Sequence, residues 1–313
     1  MWGFALRRAA MTIPTLFLVS VIVFALIRAI PGDPAAMMLG DMASDAAVAA
    51  KRVDLGLDRA VPVQFAVWLG DMFHGDLGTS IKTGEPVAQA ITSRFGVTAT
   101  ITALAVALAI AIATPAGLIA AWRQNTGTDY AIVLISILFL SLPSFWLGLM
   151  MIYLFAITLG WLPTIGFVSV AEDFLGGIRY LIMPVATLAL VEMAVIARML
   201  RAQTLEVLRL DYVTHARAKG LSESVVLMRH VFRNAFGPAL TVIGLILGGM
   251  LGGASVTETV FSLPGIGRLL VDAIYARDYP VLQGCLLFIA AIYVFVNLAV
   301  DLLYMVFDPR VRM

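Results

Sequence analysis

Six stretches of this chain stay apolar for about 18 residues or more, long enough to cross the roughly 30 Å hydrocarbon layer of a membrane as helices. They run from Ala9 to Ile30, Val97 to Trp122, Tyr130 to Leu159, Tyr180 to Leu200, Phe236 to Val256 and Val281 to Val306. The first follows Arg7 and Arg8 as a signal peptide would, but its apolar run is longer and no small-x-small cleavage site follows, so it reads as a retained anchor. Between the first two stretches, Pro31 to Gly96 reads as the one soluble piece, expected to cap the outer face of the helix bundle. Within it "AAVAAKRVDLGLD" and "VPVQFAVWLGDMF" predict short helices, and "HGDLGTSIKTGEPV" predicts a glycine-rich turn region. In the third stretch Pro143, flanked by Ser141 and Ser144, predicts a proline kink whose serines take up freed backbone carbonyls.

Composition turns these stretches into a class. With 313 residues, 61% of them hydrophobic and only 13% charged, the chain has far more apolar surface than one soluble core needs, and it reads as an all-α polytopic membrane protein. The net charge of +1 carries little; its distribution carries more. One side holds Arg7, Arg8, Arg123, the cluster Arg198, Arg201, Arg209, Arg217, Lys219, Arg229 and Arg233, and finally Arg310 and Arg312. The other holds Asp33, Asp41, Asp45, Asp54, Asp58, Asp71, Asp76 and Glu85. Cytoplasmic loops carry the excess of lysine and arginine, so both termini are expected in the cytoplasm. Cys285, the single cysteine, lies in an apolar run and reads as buried filler; an intramolecular disulfide or a multi-cysteine metal site is excluded.

The basic cluster contains "DYVTHARAKGLS", from Asp211 to Ser222. Asp211 suits an N-cap, Lys219 suits a helix C-terminus, and Gly220 suits the left-handed position beyond it. Leu221 is expected to fold back on the preceding turn, and Ser222 to cap a second helix that begins at Glu223 and carries Val225, Met228 and Phe232 on one packing stripe. A helix-turn-helix for nucleic acid is disfavoured, because a unit tethered between two spans can hardly reach a groove. An ordinary basic loop and a docking site for a cytoplasmic protein remain.

No stretch matches GxxxxGK[ST], HExxH, CxxC or a strand-borne GxSxG, and His74, His215 and His230 all fall outside the spans. No catalytic residue and no metal site is therefore assigned. Gly244, Gly248 and Gly252 follow one another at spacing four, a pattern for close helix packing that also permits low-friction sliding. Glu192 lies about nine residues from Arg201, roughly 13 Å deep. Its carboxylate must meet a hydrogen-bonding neighbour, be protonated or line a wet cavity.

"DYVTHARAKGLSESVVLMRHVFRNAFGP", from Asp211 to Pro238, resembles the EAA loop of permease subunits of ATP-binding-cassette importers, in its dipeptide and oligopeptide permease version. Of the general Glu-Ala-Ala…Gly pattern only Ala216 and Gly220 are present, at positions reading Thr214, His215, Ala216 and Gly220, and His230, Phe232 and Arg233 replace apolar and Leu-Pro positions. "ARAKGLS" and "RNA" match the peptide-permease version much better. "PGDP", "GDLGTSIKTGEPV", "LPSFWLG", "LGWLPTIG", "ETVFSLPGIGRLL" and "DPRVR" extend the resemblance, in the same order, over nearly the whole chain.

The resemblance implies the transmembrane fold of a type I importer: a first helix and extracytoplasmic segment over 1–93, a permease domain over 94–305 with its coupling loop at 201–235, and a cytoplasmic tail at 306–313. It implies that Thr214, His215, Ala216, Arg217, Ala218, Lys219, Gly220, Leu221 and Ser222 dock on an ATPase. Gly244, Gly248 and Gly252 would lie near the translocation path with Glu192, and Pro264 and Gly265 in a segment folding back over it. The implied partners are a second, similar permease subunit, two cytoplasmic ATPases that bind ATP and Mg, a periplasmic binding protein and membrane lipid, with no cofactor on this chain and no nucleic acid. Dipeptides or oligopeptides are the implied cargo; nickel chelates, glutathione and sugars are the alternatives. A secondary transporter or channel is the rival of another class, but no second copy of the "LPS" break stands in a matching position.

Overall fold

The computed structural model describes residues 2–29, 32–39, 44–170 and 172–307. The C-terminal "DPRVR", most of the 306–313 tail, and Ile30 and Pro31 lie outside the described residues. Helix α1 (Trp2–Ala29) is followed by three short helices, α2 (Pro34–Leu39), α3 (Asp45–Asp54) and α4 (Val61–Phe73). Then come α5 (Val87–Trp122), α6 (Gly127–Ser141), α7 (Ser144–Met151) with a π-wound continuation at Ile152–Thr158, and α8 (Phe174–Leu208). The remainder is α9 (Asp211–Ala218), α10 (Glu223–Val225) with a π-wound continuation at Val226–Val231, α11 (Phe232–Val260), α12 (Ile266–Ala276) and α13 (Tyr279–Phe307). Among the described residues the only β pairing is an isolated bridge between Thr79 and Pro86.

Each apolar stretch except the third is one helix long and apolar enough to span a membrane, and α5 and α8, at 36 and 35 residues, overrun it. The third is the exception: α6 and the α7 unit meet at 98°, a sharp break where a kink within one helix was expected. Pro143 has no N–H to give, and Leu142 and Pro143 are both extended (ψ 129° and 135°), so two consecutive residues leave the helical path. The Ser141 hydroxyl donates to the Ile137 carbonyl at 2.8 Å, within α6, and so does not bridge the break.

The main core forms where α5 lies along α8. Ile101, Ala105, Ala109 and Ala113 repeat every four residues on one face of α5, against Leu188, Ala189, Ile196, Ala197 and Leu200 of α8. Gly117 continues that stripe; a Cβ there would stand 2.8 Å from the Ala197 carbonyl oxygen, so the closest approach of the two backbones requires glycine. A second, outer core gathers Ile27, Val87, Ile91, Ile266, Tyr279 and Leu282 around Cys285, which is buried filler as its apolar surroundings predicted. The turn region from Gly75 to Val87 is fastened to this core by Asp278. Its buried carboxylate accepts from the Ser80 hydroxyl and from the amides of Ile81 (3.1 Å) and Lys82 (3.2 Å). Helix α1 belongs to the bundle: it packs on α13, and Arg8 pairs with Asp301 at 2.9 Å.

Candidate functional site: the two hairpins at the ends of α11

Helix α11 has a hairpin at each end, and the residues singled out in the sequence gather on these two hairpins and on α8. At the N-terminal end of α11, α9 turns at Gly220 into α10, which runs unbroken through its π turns into α11. Gly220 has φ 77°, the left-handed conformation anticipated for it, and Lys219 is the C-cap, its amide bonding to the His215 carbonyl at 3.1 Å.

The capping details differ from expectation. Leu210, not Asp211, is the N-cap, without a side-chain bond; Asp211 is the first residue of the helix, where its charge faces the positive end of the helix dipole. Leu221 is exposed and does not fold back, and Ser222 is N-cap by position only, its hydroxyl lying 3.3 Å from that of Ser224. Ion pairing holds the turn instead: the Arg217 guanidinium donates to both carboxylate oxygens of Glu223, at 2.8 and 3.1 Å.

The second arm buries Val226, Leu227 and Val231, while Val225 and Met228 of the expected packing stripe are exposed. The cause is the π winding of Val226–Val231. At i+5 hydrogen bonding, residues five apart share a face, so Val226 and Val231 turn inward together. They meet Val213 and Ala216 of α9, Leu118 of α5, Val207 of α8 and Ala235 of α11 in a small separate core. Asn234 donates to the Tyr212 hydroxyl at 2.8 Å, and that hydroxyl donates to the His230 carbonyl at 3.2 Å, a second strut between α9 and the base of α11. Of the residues Thr214 to Ser222 all are exposed except Ala216. Beside them Leu210, Tyr212, Leu221, Val225 and Met228 leave an apolar surface open, Met228 at 58% exposure.

Just above, a buried ion pair that the sequence did not announce joins α6 to α8. Asp129, 1% exposed, accepts from Arg201 Nε at 2.6 Å and Nη2 at 2.7 Å, and also from the Asn125 amide at 3.0 Å. Arg201 had read as one charge of the cytoplasmic cluster; its partner lies 72 residues away in sequence, beyond any local pattern. Glu192, further along α8, is half-buried and has no hydrogen-bond partner among the described residues. It flanks the least-covered face of the helix, the one with Val195, Arg198, Met199 and Ala202.

The predicted glycines divide by neighbour. A Cβ on Gly244 would stand 2.5 Å from Val300 and one on Gly248 2.6 Å from the Tyr293 ring, so both serve packing against α13. Gly252 is helical, with surroundings outside the described residues.

At its C-terminal end, α11 closes on α12 through Phe261–Gly265. The organiser is Glu258, fully buried and missed by the sequence reading although it opens "ETVFSLPGIGRLL". Its Oε1 accepts from the Thr98 hydroxyl of α5 at 2.6 Å, its Oε2 from the Arg268 amide at 2.8 Å, and its carbonyl from the Leu263 amide at 2.8 Å. Thr98 in turn accepts from the Ile266 amide at 2.9 Å. A carboxylate is thus set against the first turn of α12, where the orphan amides and the dipole favour it. Gly265 belongs to this arrangement: a Cβ there would fall 2.2 Å from the Glu258 carboxylate. Pro264 and Gly265 are the turn of a hairpin docked on α5, not an ordinary loop.

Residues 113–313 match the family described as "Binding-protein-dependent transport system inner membrane component", and residues 1–102 match its N-terminal counterpart. The chain is 44% identical over 312 residues to a Brucella abortus protein described as a peptide transport system permease, covering all of this chain and 99% of that one. It is 42% identical to the dipeptide transport system permease protein of Alkalihalophilus pseudofirmus, with both chains covered in full. To the glutathione transport system permease protein of Escherichia coli it is 40% identical, covering all of this chain and 99% of the other. The chain therefore belongs to the family of binding-protein-dependent transport system inner membrane components, as a multi-pass, non-catalytic permease subunit of an ATP-binding-cassette importer.

Proposed function

We propose that this permease carries peptides inward, and that α9 with its turn at Gly220 is the element through which ATP hydrolysis reaches the membrane spans. The observation that carries this reading is the two-sidedness of α9: Val213 and Ala216 are buried on the ends of α5, α8 and α11, while the opposite side and the neighbouring Leu221, Val225 and Met228 stay open. A displacement applied to the open side has a rigid route into three spans. Two cytoplasmic ATPases holding ATP and Mg dock there, a periplasmic binding protein delivers cargo, and a second, similar permease subunit supplies the other half of the path.

On this reading residues 1–93 form the first span and extracytoplasmic segment, 94–305 the permease domain, 201–235 the coupling region and 306–313 the tail, with both termini cytoplasmic. Glu192 and the uncovered face of α8 line the path, where an unpaired carboxyl gives a passing ammonium group a weak contact; a tight one would hold the cargo. Gly244, Gly248, Gly252, Pro264 and Gly265 support the moving helix. The relatives' names favour a peptide, and dipeptide and glutathione permeases at nearly equal identity differ within that chemistry, consistent with selection by the separate binding protein.

Thiol labelling tests the side on which α9 docks. With Cys285 replaced by alanine, a cysteine at Thr126 or Ser222 should be protected from an impermeant reagent in intact cells, while one at Thr83 or Ser169 should react. The reversed pattern would remove the docking surface from the cytoplasm and the proposal with it.

A further inference from the structure

Helix α4 sits at the wrong depth for part of a soluble cap. Arg8 and Arg28 lie twenty residues apart in α1, about 30 Å along the axis, which matches the hydrocarbon thickness. Phe24 and Phe17 lie four and eleven residues inward of Arg28, about 6 and 16 Å below it. Both rings meet Phe65 of α4, at centroid separations of 5.1 and 6.1 Å, and Trp68 meets Phe24 at 5.5 Å. Side chains on a helix lean toward its N-terminus, here the inner side of the membrane, so these rings lie deeper than their own Cα atoms. Phe65 therefore lies level with the outer part of the α1 apolar stretch, beside the Phe24 ring on which the Arg28 guanidinium stacks at 3.8 Å.

The rest of α4 fits that position. Phe65, Trp68, Leu69 and Met72 form the face toward α1. Gln64 and Asp71 share one flank, where Gln64 takes a hydrogen bond from Arg28 Nε at 3.1 Å; both, together with Val67 beside them, line a cavity of about 500 Å³ opening among the extracytoplasmic turns. The remaining face carries Val63, Ala66, Val67, Gly70 and Phe73 without a charge; Phe73 is 79% exposed, Val63 47% and Val67 44%. This face continues the apolar exterior of α1, on which Phe17, beside Phe65, is itself 52% exposed. Outer-side residues in water would not be this apolar, and continuity with a lipid-facing helix identifies what covers them.

We propose that α4 is an outer-leaflet anchor: it lies among the lipid acyl chains beside α1, its Val63–Ala66–Val67–Phe73 face covered by lipid, and tethers the extracytoplasmic segment to the bilayer. The test is nitroxide accessibility in the whole importer, reconstituted into phosphatidylethanolamine–phosphatidylglycerol vesicles. Labels at Val63→Cys, Ala66→Cys and Val67→Cys in a Cys285→Ala background are compared with one at Asp58→Cys in the preceding turn. Collision with oxygen relative to a soluble nickel chelate should be several-fold greater at the three α4 sites than at position 58. Free collision with the nickel chelate at those sites would place the face in water and overturn the proposal. Low collision with both reagents would place it under a protein subunit and overturn it equally. The three sites are exposed, so the bulkier nitroxide side chain projects away from the packed face of α4; ATPase activity of each labelled complex verifies assembly, independently of where the label resides.

Discussion

The two hairpins that bracket α11 are built on opposite principles. The one at its N-terminal end is held by polar links on its surface, Arg217 to Glu223 and Tyr212 to Asn234, around a small apolar core, and it shows an open face. The one at its C-terminal end is held by a single buried carboxylate, Glu258, that binds α5 and the start of α12 at once. Exposed ion pairs contribute about 0–1 kcal/mol, whereas emptying a buried hydrogen-bonded site costs about 1–3 kcal/mol for each group left unpaired. The α9–α10 hairpin is therefore fastened by weaker links, while the α11–α12 hairpin is tied to α5 by buried hydrogen bonds.

Breaking the α11–α12 hairpin should have the largest effect. Glu258→Ala strands the Thr98 hydroxyl and the Arg268 amide in a dry site, and a loss of roughly 3 kcal/mol or more is expected. The thermal midpoint of the purified permease complex should fall markedly, and Gly265→Ala, which drives a methyl group into the same carboxylate, should fall with it. A Glu258→Ala complex melting like the wild type would mean that the α11–α12 hairpin is not locked by this residue.

A smaller stability effect with a larger functional one is expected at the other end. Gly220→Val places a β-branched side chain at φ 77°, a strain of about 1–2 kcal/mol in an exposed turn with open space around it. Insertion and melting should stay close to wild type while ATP-driven uptake is lost. Uptake at the wild-type rate would show that the geometry of α9 is immaterial to coupling.

The smallest structural effect is expected between the hairpins. Glu192→Gln keeps the shape of an unpartnered side chain, so assembly and binding-protein-stimulated ATPase activity should be nearly unchanged. Uptake rates should shift unequally for peptides of different net charge, measured with labelled cargo in proteoliposomes. An equal loss for every peptide, together with poor assembly, would make Glu192 a packing residue.

Much of this was legible along the chain. Apolar length gives the spans, because a membrane removes water from every turn of a helix and leaves few alternatives. Gly220 was readable because a left-handed residue after a helix is nearly a glycine signature, and Cys285 because an apolar run around a lone cysteine favours burial whichever helices pack on it. The inward stripe of α10 and its π-wound continuation was not, because one residue of extra winding moves Val226 and Val231 inward and Val225 outward with no change in composition. Nor was the 98° break: Pro143 announces an interruption, but the backbone angles of Leu142 and Pro143 together decide its size.

The sequence by itself therefore determined the class, the number of apolar stretches, the left-handed turn and the motifs that carry the family likeness. These depend on local periodicity or on the type of a single residue. Tertiary structure alone decided the pairings of Glu258 with Thr98 and of Asp129 with Arg201, and the meeting of Phe65 in α4 with Phe17 in α1. Each of these is a meeting of groups distant in sequence: 160 residues separate Thr98 from Glu258, and 72 separate Asp129 from Arg201. A buried charge can be read as an anomaly from its own position, but its partner is fixed only when helices pack and exclude the water that would otherwise have served it.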